Sequence, residues 1–414
     1  MIGFHRREPT PASIVPAAIY GALLGLVIAC AGCYILTRFG MGLVGGRGDR
    51  VFGPAVFARS GLNLYAVQHV PLVGTGEVTD ALGNTTRLTA SITLPLTVWA
   101  AVPALALVFG GYAAARAVSR RGRGAMTVAA LGAGLIYAVV LAVGARWVGA
   151  RLDTFLLPEV GGFSANPPQI VFRPLPWGAL CFGGGFGVVF ARLGAAVAVR
   201  ELAGRRAPTA WWACARAVLT TAAVVHLLVA VAVLALAPAR PANNSASNPR
   251  IVEMLPTAAG LGYAMLHGAT LISSAESRIA SLNRVDQAFR AEVSVWGGLT
   301  KTGSHKPMPA AARLVAVLVG VVTAFAAGRL AARWGSRDGS VPTALRAALI
   351  HTCYILILPL ICGIVLKQAD AFSSTTLRIQ AHFGPPVLVS FAGVLAFSML
   401  GAHTAGGRRR DSAL

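Results

Sequence analysis

Acidic residues are scarce in this sequence, and none falls within its long apolar runs: 14 Asp and Glu stand against 36 Lys and Arg in 414 residues. Carboxylate proton relays and intramembrane metal hydrolases need acids inside the membrane, so their absence argues against both. Also missing are H-E-x-x-H, G-x-S-x-G, the Walker loop and the dinucleotide fingerprint. No catalytic residue, cofactor-binding residue or metal ligand is therefore assigned, and no enzyme is expected. Lysine is nearly absent too, since all basic residues except Lys301, Lys306 and Lys367 are Arg.

Cysteine is sparse, and Cys30, Cys33, Cys181, Cys214, Cys353 and Cys362 all lie inside apolar runs. A disulfide framework or zinc site would place them in loops at ligand spacing. Cys30 and Cys33 share a helical face as small packable residues. Val27-Ile28-Ala29-Cys30 matches a bacterial lipoprotein cleavage box, which would lipidate Cys30. The run 14–36 exceeds a signal-peptide core, however, and reads as a retained span.

What is abundant is apolar sequence, 56% of residues, with 12% charged and a mean hydropathy of +0.68. Soluble domains carry about a quarter charged residues, so the chain belongs in a membrane. Eight spans are predicted, at about 14–36, 92–115, 125–149, 176–199, 211–236, 310–332, 343–366 and 385–405. They form a single all-α polytopic domain with long outer segments at 37–91 and 237–309.

Orientation follows from arginine in the short loops. With the N-terminus inside, the inner segments hold Arg6, Arg7, Arg116, Arg120, Arg121, Arg123, Arg200, Arg205, Arg206, Arg329, Arg333, Arg337, Arg408, Arg409 and Arg410. The accompanying acids are Glu8, Glu201, Asp338 and Asp411. Both termini are thus expected in the cytoplasm of a plasma-membrane protein. The arginines set topology and attract anionic inner-leaflet lipid, so no nucleic acid partner is needed to explain the charge of +22.

The outer segments carry weaker signals. Arg47-Gly48-Asp49 is a three-residue match expected by chance, and Asn84-Thr85-Thr86 and Asn243-Asn244-Ser245 are glycosylation patterns only a eukaryotic secretory route would use. The apolar run 251–271 reads as an interfacial or re-entrant helix, with a ninth span as the alternative. Counting it as a span would invert every later arginine turn.

Before the inward spans a strand-like segment recurs, clearest in Arg87-Leu88-Thr89-Ala90-Ser91-Ile92 and Leu377-Arg378-Ile379-Gln380-Ala381-His382-Phe383. Their apolar–polar alternation marks half-buried strands, and prolines follow both. Weaker versions occupy 169–174 and 292–296. The implied unit is outer strand, inward helix, arginine turn and outward helix. Three complete copies and one split between the chain ends predict a pseudo-fourfold ring of hairpins. Gly21 with Gly25, and Gly183 with Gly187, have the spacing of close helix contacts.

Candidate polar sites in the spans are Arg192, His226 and His351, together with Arg216 and Arg346 near the inner ends. A path past the first three would suit an anion or a neutral solute. The arginine-turned hairpins and small-residue span ends such as Gly110-Gly111-Tyr112-Ala113-Ala114-Ala115-Arg116 resemble the streptophobe family of hydrophobic actinobacterial membrane proteins. That resemblance lies in the hairpins and supplies no catalytic residue. The expected function is a non-enzymatic permease or channel-like protein, with a membrane scaffold using its outer segments as the alternative.

Overall fold

The computed structural model describes residues 14–38, 54–79, 85–95, 97–152, 170–203, 210–236, 248–267, 269–279, 284–295, 298–301, 304–334, 339–369, 373–383 and 386–411. Arg6, Arg7, the Arg47-Gly48-Asp49 tripeptide, Asn84, Asn243, Asn244, Arg205, Arg206 and Arg337 lie outside them. The chain divides into two compact units: Met1–Leu94 with Trp99–Arg206, and Pro95–Val98 with Ala207–Leu414.

The first unit contains α1 (Ile14–Arg38), α2 (Pro54–Ala66), β1 (Leu72–Thr79), β2 (Thr85–Thr93), α3 (Ala101–Ala117), α4 (Arg123–Gly144), β3 (Ala150–Leu152), β4 (Ile170–Pro174), α5 (Pro176–Gly178) and α6 (Gly184–Ala203). The second contains α7 (Ala210–Leu236), α8 (Asn248–Leu266), β5 (Ala269–Ile279), β6 (Arg284–Ser294), β7 (Gly298–Lys301), β8 (Ser304–Lys306), α9 (Ala310–Arg333), α10 (Ser340–Cys362), β9 (Ile364–Ala369), β10 (Ser373–Phe383) and α11 (Pro386–Asp411). Among the described residues, seven helices are long and apolar enough to cross a membrane: Ile14–Arg38, Val98–Ala117, Arg123–Gly144, Pro176–Leu202, Ala210–Ala232, Ala310–Arg333 and Ser340–Leu358. A shorter apolar helical stretch, Phe391–Ala405, lies in α11. These are the helices of a membrane protein, in which apolar side chains face lipid and the helix satisfies its own backbone.

Sequence breaks these helices where the backbone requires it. Pro176 and Pro386 begin helices at the position where a missing N–H costs nothing. In the arginine turn between α3 and α4, Gly122 adopts φ +94°, a conformation side-chain-bearing residues rarely take. Between α5 and α6 the residues Ala179–Gly183 form a π-helical stretch.

In the first unit, α1 packs on α3 and α4, and α6 packs on α3 and α4, closing a four-helix bundle. Small residues set its contacts. Gly21 and Gly25 of α1 lie against Gly110 and Ala106 of α3, and Gly134 of α4 lies against Gly187 of α6. Added Cβ atoms at Gly111 and Gly194 would run into the backbones of Ala191 and Val108. Such approach maximises dispersion where no hydrophobic effect acts between helices. In the second unit α7 packs on α9 and α10, and α11 packs on α9 and α10. Gly328 meets the Ser398 backbone, Gly401 meets Phe325, and Ser398 donates a 3.0 Å hydrogen bond to the Ala324 carbonyl.

The strands also follow one plan in both units. The first runs β3-β4-β1-β2 and the second β9-β10-β5-β6-β7-β8, with antiparallel pairs throughout. Leu72 of β1 pairs with Pro174 of β4, and Leu271 of β5 pairs with Ala381 of β10. The alternating segments 87–92 and 377–383 are strands, inside β2 and β10.

The strand component is larger than the short segments expected, and it takes residues from predicted spans. Ile92 and Thr93 finish β2, and Ile364 begins β9 after α10 has ended at Cys362; α4 ends at Gly144, short of the predicted 149, and β3 follows from Ala150. A short apolar run such as Ile364-Val365-Leu366 reads equally as helix end or buried strand, so hydropathy overshot the boundary. The run 251–271 splits between α8 and β5, and α8 is not among the helices apolar enough to span.

Candidate functional site

Three elements of the second unit bring imidazole and phenol rings together. On α10, His351 and Tyr354 stand three residues apart and so share a helical face. Tyr263 stands in the last turn of α8, and His267, four residues on, follows the helix end at Leu266. From α7 comes His226. Tyr263 is the hub, its ring centroid 4.7 Å from His226, 4.5 Å from His267, 5.9 Å from His351 and 5.7 Å from Tyr354. The rings of His267 and His351 are 4.9 Å apart.

Hydrogen bonds fix most of the protons. His267 Nδ1 lies 2.9 Å from the Tyr263 carbonyl and His226 Nδ1 lies 2.8 Å from the Ala222 carbonyl, so each Nδ1 carries a hydrogen and donates it. In the neutral rings each Nε2 is then an acceptor. Tyr354 Oη approaches His226 Nε2 at 3.4 Å, and Tyr263 Oη is 2.7 Å from His351 Nε2. Two ring nitrogens, His267 Nε2 and His351 Nδ1, are buried without a protein partner.

The surroundings of these rings are apolar. His351 and Tyr263 are fully buried and His267 is 3% exposed. Ala222, Val225, Leu261, Ala264, Ile355, Leu358 and Cys362 pack around them, with Ala269 and Ala381 from the first residues of β5 and the end of β10. The cluster therefore sits where the helices meet the strands. Burial pushes the His267 pKa down to about 4; the Tyr263 carbonyl opposes the shift and His226 adds to it. Among the described residues no group of three or more His, Cys, Asp or Glu is arranged to hold a metal ion. What the cluster can do is exchange hydrogen bonds with a small uncharged molecule.

A smaller polar cluster occupies the first unit. Gln68, 2% exposed, donates from Nε2 to the Leu64 carbonyl at 2.8 Å and to Tyr137 Oη at 2.9 Å, while its Oε1 has no protein partner. Tyr65 donates to the Leu141 carbonyl at 2.8 Å. Gly183, in the π-helical stretch, adjoins this site: a Cβ there would lie 3.8 Å from Gln68 Oε1. Next to it, His69 holds φ +63° with Nδ1 donating to the Leu94 carbonyl at 2.6 Å.

Of the polar sites read from sequence, His226 and His351 meet in one cluster, whereas Arg192 is exposed on α6 of the first unit. Arg216 stacks over Trp334 at 4.3 Å and Arg346 over Trp211 at 5.7 Å. Of the topogenic arginines, Arg116 ends α3 and lies 3.8 Å from Glu201, which also accepts a 2.7 Å bond from Tyr112. Arg120 and Arg121 form the turn, Arg123 opens α4, and Arg408, Arg409 and Arg410 fall in the last turn of α11. Arg205 and Arg206 lie outside the described residues. The sequence reading passed over Tyr263, His267 and Tyr354, whose signal was polar aromatic residues at spacings of three and four within apolar runs.

A groove of about 460 Å³ runs along α7 past Trp212, Arg216, Thr220 and Leu227, and no cluster residue lines it. No family model, curated protein sequence or solved structure matches the chain.

Proposed function

We propose that this chain is an eight-span plasma-membrane protein with both termini in the cytoplasm, built from two tandem copies of one four-span unit. It acts as a non-enzymatic permease or channel-like protein for a small neutral polar solute. Support for the copies comes from matched positions. Gly111 and Gly194 cross α3 on α6 as Gly328 and Gly401 cross α9 on α11. The same separation runs from Gly111 to Tyr137 and from Gly328 to Tyr354, and from Gln68 to Leu72 and from His267 to Leu271. Each copy contains one whole hairpin read from the sequence, α3 with α4 or α9 with α10, together with one helix from each of two others, and β7 with β8 is an addition peculiar to the second.

The observation that carries the transport reading is the buried pair of unpartnered ring nitrogens, His267 Nε2 and His351 Nδ1. Leaving a buried polar atom unsatisfied costs about 1–3 kcal/mol, so such a pair is retained where something binds it. Imidazole and phenol rings with no carboxylate beside them among the described residues favour an uncharged solute, since an ion here would lack a counter-charge. The test is light-scattering flux of urea and water into liposomes carrying the purified full chain. Flux above that of protein-free liposomes, reduced in His351→Ala, is expected; flux equal to that of bare lipid overturns the reading. A scaffold role is the second reading, favoured by the β7–β8 hairpin with its exposed Lys301, His305 and Lys306.

A further inference from the structure

The two polar clusters have the same construction with different side chains. In each, a residue just past the end of α2 or α8 folds back onto the carbonyl four residues earlier: Gln68 Nε2 on Leu64 at 2.8 Å, His267 Nδ1 on Tyr263 at 2.9 Å. In each, the third long apolar helix of the unit supplies a tyrosine to the cluster, Tyr137 from α4 and Tyr354 from α10. Both hydrogens of the Gln68 amide have partners, the Leu64 carbonyl and Tyr137 Oη, so what remains is an acceptor, Oε1. The hydrogen of neutral His267 is likewise committed, and what remains is an acceptor, Nε2. Each acceptor is buried without a protein partner, on a side chain no more than 3% exposed.

We propose that the protein has two equivalent binding positions, one per unit, at Gln68 and at His267, and that both take a small neutral molecule carrying an N–H or O–H donor. The second position extends the solute site named above, and the claim for the first rests on the transport reading only for its purpose. The ligand must donate because the unpartnered atom of Gln68 and of His267 is in each case a lone pair with no hydrogen. It must be small because the space at Gln68 is bounded by Gly183, where one methyl would already lie 3.8 Å from Oε1 and press on Leu141. It is neutral because the carboxylate among the described residues of the spans, Glu201, lies in the last turn of α6 beside Arg116, so none balances a cation at either position. At the second position, His351 Nδ1 completes the contact, its ring 4.9 Å from His267.

Two measurements test this on the full chain. The first is a density map of the protein in lipid nanodiscs at about 2 Å, in which an ordered non-protein peak is expected within about 3.2 Å of Gln68 Oε1 and of His267 Nε2. A well-ordered Gln68 side chain with no such peak overturns the proposal. The second is liposome flux of urea, which has donors, against trimethylamine N-oxide, which has none. Gln68→Leu and His267→Leu are each expected to cut urea flux at least about fivefold, whereas the exchanges Gln68→His and His267→Gln, which retain a buried acceptor, are expected to lose less than the leucine variants do. Chromatography and thermal unfolding confirm that each variant is folded. Unchanged urea flux in Gln68→Leu with reduced flux in His267→Leu overturns the first-unit position and leaves the transport reading standing. Absence of any flux removes the transport reading, and the density map still decides whether the positions are occupied.

Discussion

Tyr263 places one phenol against four other rings, and its hydroxyl partners His351 at 2.7 Å. Replacing it by Phe keeps the ring stacking and removes the hydrogen bond, leaving His351 Nε2 buried and unpaired. The expected loss is about 1–3 kcal/mol, read as a lowered thermal midpoint in detergent; a midpoint equal to wild type would mean that bond contributes nothing. His267 adds a pH dependence. Its folded pKa is lowered to about 4 by burial, whereas an unfolded histidine titrates near 6.5. Between about 4 and 6.5 the unfolded chain therefore binds more protons, so this contribution to stability is complete above about 6.5 and shrinks as pH falls towards 4. Thermal midpoints measured from pH 7 to pH 4.5 should fall, and His267→Gln should flatten part of that fall, because glutamine does not titrate. His226 and His351 face the same cluster, so the part of the slope that His267→Gln removes is what His267 itself contributes.

At the scale of elements, the tightest joints are helix crossings where glycine lets two backbones meet. Gly111→Leu and Gly328→Leu would each drive a side chain into backbone, at Ala191 and at Ser398. Backbone cannot give way as the end of a flexible side chain can, so each should destabilise its bundle by about 1–3 kcal/mol or more. Gly320→Ala, where an added Cβ meets nothing within 4 Å, is the control and should leave the midpoint unchanged or raise it. Thermal unfolding of the three variants side by side checks the contrast. The same elements show what the sequence made legible. Alternation exposed β2 and β10, arginine and glycine exposed the α3–α4 turn, and the spacing of Gly21 and Gly25 exposed a real contact with α3. Strands such as β1, with Gly74 and Gly76, and β9, whose first residues Ile364-Val365-Leu366 are all apolar, carry no clean alternation and were hidden. The histidine cluster was half legible: His226 and His351 stood out in apolar spans, but His267 lay in an outer segment where a histidine is unremarked. Only the return of α8 onto α7 and α10 made it an interior residue.

For the whole molecule the decisive quantity is the side of the membrane on which each arginine turn lies. If both units have four spans, the join near residue 206 and both chain ends return to the cytoplasm, and the strands with α2 and α8 lie outside. Arginine in short loops favours the inner side strongly enough to set orientation, and the α3–α4 turn carries Arg116, Arg120, Arg121 and Arg123. Cysteine labelling reads this directly, because the six native cysteines lie in helices and can be replaced as a set. In that background, Lys301→Cys should react with a membrane-impermeant maleimide in intact cells, and Ser119→Cys only after permeabilisation. Leu414→Cys separates eight spans from seven. Protection in intact cells places the end of α11 inside and requires α11 to cross, even though its apolar stretch Phe391–Ala405 is shorter than that of the other seven helices. Labelling of Leu414→Cys from outside would leave seven spans and break the match between the two units, whereas labelling of Ser119→Cys from outside would invert the orientation and leave the match intact.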